Sequence, residues 1–345
     1  MINLLAQYNV DDHTISPLPP PAGNRFGFFL EEGVDQISKC ETLTPSQIQH
    51  EETRAVKWKR MLETWKQNGS IPKKLKSRVY KGVPLPSRAD YWKLVTKQYV
   101  LEENDENIDQ LFYNIESIAD DVQIDLDVKR TLGLHYLFQT DFKMGRRELF
   151  LILRAISQKN NDLGYTQGMS DFAGILFSIL KERLATYKMM EMILNNPKYN
   201  LKPCLQVGFP GLIELGKIND LMLKNIHHTS YRHLVALGYL DLDIHVYMFD
   251  WYMVWFSRIL PCDFLYAVFD FCLLDGYKAM FTIANAIVHY LKHHILECDD
   301  IYIAMQLLKA PADKLLQEVK CSTFVAYCRG HKVTQKMIDK WKSAK

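Results

Sequence analysis

The thirteen residues from Gly168 to Leu180, GMSDFAGILFSIL, carry a single charge, Asp171. A run this apolar, with no alternation of polar and apolar positions, folds as a helix buried on most of its sides. Such a helix needs other helices around it, and their stripes are present. Leu149, Ile152, Leu153 and Ile156 recur at helical spacing just upstream. Trp58, Met61, Leu62 and Trp65 do the same in a segment capped by Thr44-Pro45-Ser46 and ended by Asn68-Gly69-Ser70-Ile71-Pro72. Lys181–Tyr199 reads as a further helix. Toward the C-terminus Ile283, Ile287 and Leu291 share a face, as do Leu315, Leu316 and Val319. Alternating strand patterns are lacking, so the expectation is an all-α fold of roughly a dozen or more helices.

Composition narrows the function classes. With 345 residues, 48% of them apolar and 24% charged, the chain can bury a sizeable core. A net charge of +2 is too small to point to nucleic acid or an anionic membrane as the main partner. The seven cysteines are odd in number and form no C-x-x-C pair, which suits a reducing compartment better than a disulfide framework. MINLLAQYNVDDHT lacks the basic lead and long apolar core of a signal peptide, and no uncharged stretch is long enough to span a membrane. These features predict a cytoplasmic protein. Pro17, Pro19, Pro20 and Pro21 favour an extended lead before the aromatic NRFGFF element at Asn24–Phe29.

Two polar motifs stand out against this apolar background. QIDLDVKRT places Ile124, Asp127 and Arg130 at three-residue spacing, so that Asp127 and Arg130 meet within one helical turn. NDLGYTQG places Tyr165 and Gln167 at the head of the apolar run, a rigid mount for a residue at its start.

IDLDVKR resembles the I-x-x-D-x-x-R motif of the TBC (Tre-2/Bub2/Cdc16) domain family, and YTQ its Y-x-Q motif. KGVPLPSRADYW at Lys81–Trp92 resembles the family's K-G-I/V-P-x-x-x-R-x-x-x-W opening, with Arg88 in the arginine place. Phe209-Pro210-Gly211-Leu212 resembles its F-P-x-L segment, and Trp251, Phe256 and Pro261 fit a W-x-x-x-x-F-x-x-x-x-P frame. Three positions depart: Gly133 stands where the family usually has proline, Ala267 where it has arginine, and Phe269 where it has tryptophan.

The resemblance implies an all-helical GTPase-activating protein for a Rab-type small GTPase, with Arg130 and Gln167 as two fingers inserted into the partner's nucleotide site. Asp127 would hold Arg130, with Ile124 packing beneath it. Tyr165 and Gly168 would shape the glutamine loop, and Asn160 would brace it. Arg88 is expected either to help bind the partner or to serve only as a charge at a helix start. Such a protein has no active site and no cofactor of its own, since the GTPase brings GTP and magnesium, and it meets membranes only where its Rab does. The domain is expected over residues 81–276, after an N-terminal extension over 1–80 and before C-terminal helices over 277–345. The competing reading is a Rab-binding scaffold that kept the fold and lost activity.

Two other patterns invite chemistry. Gly211-Leu-Ile-Glu-Leu-Gly216-Lys217 fits a phosphate loop, but Ile218 replaces the hydroxyl residue that ligates magnesium, and the setting reads as helix. His289, His293 and His294 have metal-like spacing without the ligand set a site requires. Neither is expected to act, and no metal site is predicted.

Overall fold

The computed structural model describes residues 23–29, 39–97, 108, 110–112, 118–139, 143–242 and 246–343. The proline-rich lead and Ile244 lie outside the described residues. Among those described, helices dominate, and the extended pairing consists of isolated bridges, Gly23 with Phe29 and Phe28 with His135. No described helix is long and apolar enough to cross a membrane.

Two compact units interleave along the chain: one from residues 1–39 and 96–196, the other from 40–95 and 197–345. The second begins with α1 (Pro45–Asn68), whose ends follow from local chemistry. Thr44 and Gln47 form a reciprocal capping box, Pro45 opens the first turn, and Gly69 closes the helix at φ 68°. Trp58, Leu62 and Trp65 are its buried stripe. After α2 (Leu75–Val79), α3 (Leu85–Lys97) buries Tyr91, Trp92 and Val95.

In the first unit, α4 (Asp121–Arg130), α5 (Lys143–Lys159), α6 (Met169–Leu180) and α7 (Arg183–Asn195) pack together. The stripe of α5 at Leu149, Ile152, Leu153 and Ile156 is fully buried, and α4, α6 and α7 all lie against this helix. Arg154 interrupts the apolar run of α5, and its Nε donates to the buried carboxylate of Asp121 at 2.8 Å, fixing α4 to α5. The aromatic element at Asn24–Phe29 pins the turn that follows α4. Phe29 N–H donates to Leu134 O and Tyr136 N–H to Gly27 O, while Phe28 is fully buried against His135. A side chain at Gly27 (φ 90°) would strike the Tyr136 ring, so glycine is required there.

The second unit continues with α8 (Leu201–Leu205), α9 (Pro210–Ile226) and α10 (His228–Ala236), then a single 3₁₀ turn and a π-helical turn, Phe249–Met253. The apolar pair α11 (Cys262–Asp275) and α12 (Tyr277–Tyr290) forms its centre, with α9 against α12. Shorter helices complete it: α13 (Lys292–Glu297), α14 (Ile301–Lys309), α15 (Ala312–Glu318), α16 (Cys321–Gly330) and α17 (Gln335–Ser343). The phosphate-loop look-alike lies inside α9, where a Cβ at Gly211 would stand 2.7 Å from the backbone of Pro203 and Cys204. Its glycine serves helix packing. The three histidines are split by the break at Leu291; His289 stacks on Tyr327, and His294 bonds Glu318.

Candidate functional site: one carboxylate beneath an arginine and a glutamine loop

The first unit brings the two polar motifs together around Asp127. α4 turns Ile124, Asp127 and Val128 inward, and the Asp127 side chain is 1% exposed. A carboxylate so far from water must have its lone pairs filled. Oδ1 accepts Arg130 Nη2 at 2.6 Å and Gln123 Nε2 at 3.0 Å, and Oδ2 accepts the Tyr165 hydroxyl at 2.6 Å. Burial and the Asp127 bond push the Tyr165 phenol well above its usual range, so it remains a donor. Arg130 occupies the last position of α4 with its side chain 61% exposed. One nitrogen of its guanidinium is held by a buried anion, and most of the side chain is in solvent.

The turn after Arg130 is tightly specified. Thr131 Oγ1 donates to the Asp127 carbonyl, and Leu132 adopts φ 46°. His135 Nε2–H donates to Phe26 O at 3.0 Å while its Nδ1 accepts Leu137 N–H, an arrangement only the neutral ring can make. Burial lowers its pKa to about 3. At Gly133, by contrast, a Cβ would meet nothing within 4 Å, so the position has room for a side chain.

The glutamine loop is fixed at both ends of Tyr165. The Tyr165 hydroxyl reaches Asp127, and its backbone N–H donates to Asp120 Oδ2 at 2.8 Å. Ser157 Oγ on α5 donates to the same Asp120 oxygen. Asn160 starts the loop: its carbonyl accepts Leu163 and Gly164 N–H, and its side chain bonds Glu191 and Asn195 on α7. Gly168 ends it at φ 108°, a left-handed conformation open to glycine, and α6 follows with every residue from Met169 to Phe177 buried except Asp171. Gln167 is exposed, one residue before that glycine.

Asp127, Arg130 and Tyr165 thus share one network, with Asn160 and Gly168 at the two ends of the loop that presents Gln167. Arg88 is a correction. Of its two readings, the helix start holds and the partner surface does not: it lies in the first turn of α3, its side chain is 6% exposed, and that of Asp270 is fully buried. Nε and Nη2 donate to the Asp270 carboxylate at 3.1–3.2 Å, and Nη2 also donates to Val83 O at 3.0 Å. Arg88 belongs to the interior of the second unit, because α3 packs its polar face onto an internal anion. Asp120 went unread in the sequence. Beside Asp121 at a helix head it looks like a cap, yet its side chain makes no capping bond and is used 37 and 45 residues downstream. An acid in excess of what a cap needs was the only signal.

A family model described as the Rab-GTPase-TBC domain matches residues 51–296. A Rab GTPase-activating protein of Caenorhabditis elegans, tbc-11, is 24% identical over 245 residues, which cover 70% of this chain but only 26% of that protein. A TBC domain-containing protein of Schizosaccharomyces pombe is 28% identical over 296 residues, covering 80% of this chain and 68% of the relative. Among solved structures, the Chlamydomonas flagellar RabGAP TBC domain superposes with TM-score 0.65 at 21% identity, covering 89% of this chain and 99% of that one. The Ypt/Rab-GAP domain of Gyp1p gives TM-score 0.59 at 17% identity, covering 81% and 97%. At these identities the structural likeness is one of fold.

Proposed function

We propose that this chain, which belongs to the Rab-GTPase-TBC domain family over residues 51–296, accelerates GTP hydrolysis on a Rab-type small GTPase by lending it Arg130 and Gln167. The observation that carries the reading is the double grip of Asp127: one buried carboxylate holds the arginine and, through Tyr165, the loop of the glutamine. Two exposed polar groups on a common buried base are preorganised for work outside the chain.

Hydrolysis of GTP needs charge placed on the transferring phosphoryl group and a water held in line. An arginine finger is worth about 10³–10⁵ in rate, roughly 4–7 kcal/mol of barrier. Asp127 engages Nη2 of Arg130, so that Nε and Nη1 remain as donors for phosphate oxygens in a planar fork. Gln167 has a donor and an acceptor on one amide, as water positioning requires, and the loop fixed by Asn160, Asp120 and Gly168 limits its wandering. GTP and magnesium are the partner's. The chain acts wherever its Rab sits, on membranes included.

A panel of GTP-loaded Rabs assayed for phosphate release tests this. At least one Rab should be accelerated. Gln167→Ala should then abolish that acceleration, whereas replacing the Rab's own water-positioning glutamine should be tolerated in this protein's presence. The opposite pair of results would leave Arg130 acting alone. A Rab that binds without being accelerated would establish the scaffold reading instead.

A further inference from the structure

Helix α4 buries acids beside its apolar residues Ile124 and Val128 and turns two other apolar side chains outward. Its buried positions include three aspartates, Asp121, Asp125 and Asp127, whereas Val122 is 63% exposed and Leu126 55% exposed. Ordinary amphipathic helices bury the apolar side chains and solvate the acids. Each buried acid is accounted for internally: Asp121 by Arg154, Asp125 by Lys129, and Asp127 by Arg130, Gln123 and Tyr165. The outward valine and leucine receive no such account from the fold. They leave apolar surface in water that a partner can bury, where polar residues would equally suit an exposed helix face.

Their placement gives the account. At about 100° per residue, Val122, Leu126 and Lys129 lie within about 60° of one another, with Arg130 at the edge of the same face. At 1.5 Å per residue, Leu126 is about 6 Å and Val122 about 12 Å along the axis from Arg130. A partner domain of about 150 residues has a radius of gyration of about 15 Å. One that takes Arg130 into its nucleotide site therefore covers this face.

We infer that Val122 and Leu126 form an apolar docking strip for the small GTPase that receives Arg130, seated on an apolar surface beside that partner's nucleotide pocket. The strip rests on the GTPase-activating reading and names the surface by which that partner is held. Its two ends do different work: Arg130 acts in the transition state, and the strip binds ground state and transition state alike. Apolar side chains buried in the core of an interface add the free energy of removing them from water.

The test is the double variant Val122→Thr/Leu126→Gln, which changes no charge and so leaves electrostatic steering alone. Uniform binding lost from both states raises KM and spares kcat. For the GTPase·GTP substrate, KM should rise about tenfold, in the range of interface anchors, with kcat within about twofold of wild type. Val207→Thr, at a fully exposed position of the second unit, serves as the control and should leave both constants unchanged. If the double variant melts early, Leu126→Gln alone decides, with about a threefold rise expected. A wild-type protein that activates a Rab, with KM unchanged in these variants, overturns the strip and leaves the activator reading standing. A wild-type protein that activates no Rab overturns both.

Discussion

Two of the chain's arginine–aspartate pairs, Arg88–Asp270 and Arg130–Asp127, are used in opposite ways. In the second unit, Arg88 and Asp270 are both buried, and Asp270 also accepts Trp92 Nε1–H at 2.7 Å. In the first, Asp127 is as deeply buried, but its arginine is 61% exposed at the end of a helix. The first pair consumes its charge internally and fastens α3 to α11. The second buries only the anion and holds a cation out to solvent. That asymmetry of burial within the pair is what suits Arg130 to the finger role proposed for it.

The largest expected effect breaks the comparison along this line. Arg130→Ala should lower the catalytic efficiency of GTPase activation about 10²–10⁴-fold, at a stability cost of about 1–3 kcal/mol, because buried Asp127 loses its charged partner but keeps the donors of Gln123 and Tyr165. Arg88→Ala should do the reverse. Stripping the partner from a buried carboxylate costs about 3–5 kcal/mol, read by urea denaturation, with activation per folded molecule kept. An Arg88→Ala protein of normal stability and no activity would give Arg88 back its place at the partner surface.

The placement of Arg88 shows what local spacing cannot record. The caps of α1, the buried run of α6 and the stripe of α5 depend on neighbours within a few residues, so local spacing reveals them. The polarity of α4 at Asp127 and Arg130 was legible for the same reason. Burial of Arg88 depends on Asp270, 182 residues away, and the latch of Asp120 on Tyr165 spans 45 residues. No periodicity records such partners. The left-handed backbone at Trp255 and Phe256, just after the π-helical turn, is equally a product of the packed interior.

A second test concerns the turn that follows Arg130, where His135 is a buried neutral imidazole. His135 has a folded pKa of about 3, against about 6.5 in an unfolded chain. Between those values the unfolded state binds a proton that the native state refuses, so stability rises with pH across the window. The contribution is intact above pH ~6.5 and is lost as pH falls, by about 2 kcal/mol between pH 7 and pH 5. In His135→Gln, urea titrations at the two pH values should show a drop smaller by about that amount. An equal drop in both proteins would mean the imidazole is already charged, which its contacts with Phe26 O and Leu137 N–H do not permit.

The smallest effect comes from two matched hydroxyl deletions. Tyr165→Phe removes the donor to Asp127 Oδ2, and Tyr91→Phe removes the donor to the Asp270 carbonyl. Each keeps its ring, and each should cost about 0.5–1.5 kcal/mol of stability for one lost hydrogen bond, somewhat more at Asp127, where a carboxylate oxygen is left short of a partner. Function separates them. Without the phenol, Asp127 still holds Arg130, but the glutamine loop loses its tie to Asp127 and keeps only those of Tyr165 N–H and Asn160, so Gln167 samples positions from which no water is held in line. Activation by Tyr165→Phe should fall about tenfold, mainly in kcat, since the lost interaction matters in the transition state. Tyr91→Phe should activate as wild type does, because the Asp270 network ends inside its own unit. If both variants lost only stability, the phenol would be a packing group and the coupling of the two loops through Asp127 would have no part in catalysis. If Tyr165→Phe instead raised KM with kcat intact, the loop would serve to bind the GTPase, and Gln167 would be positioned by the partner.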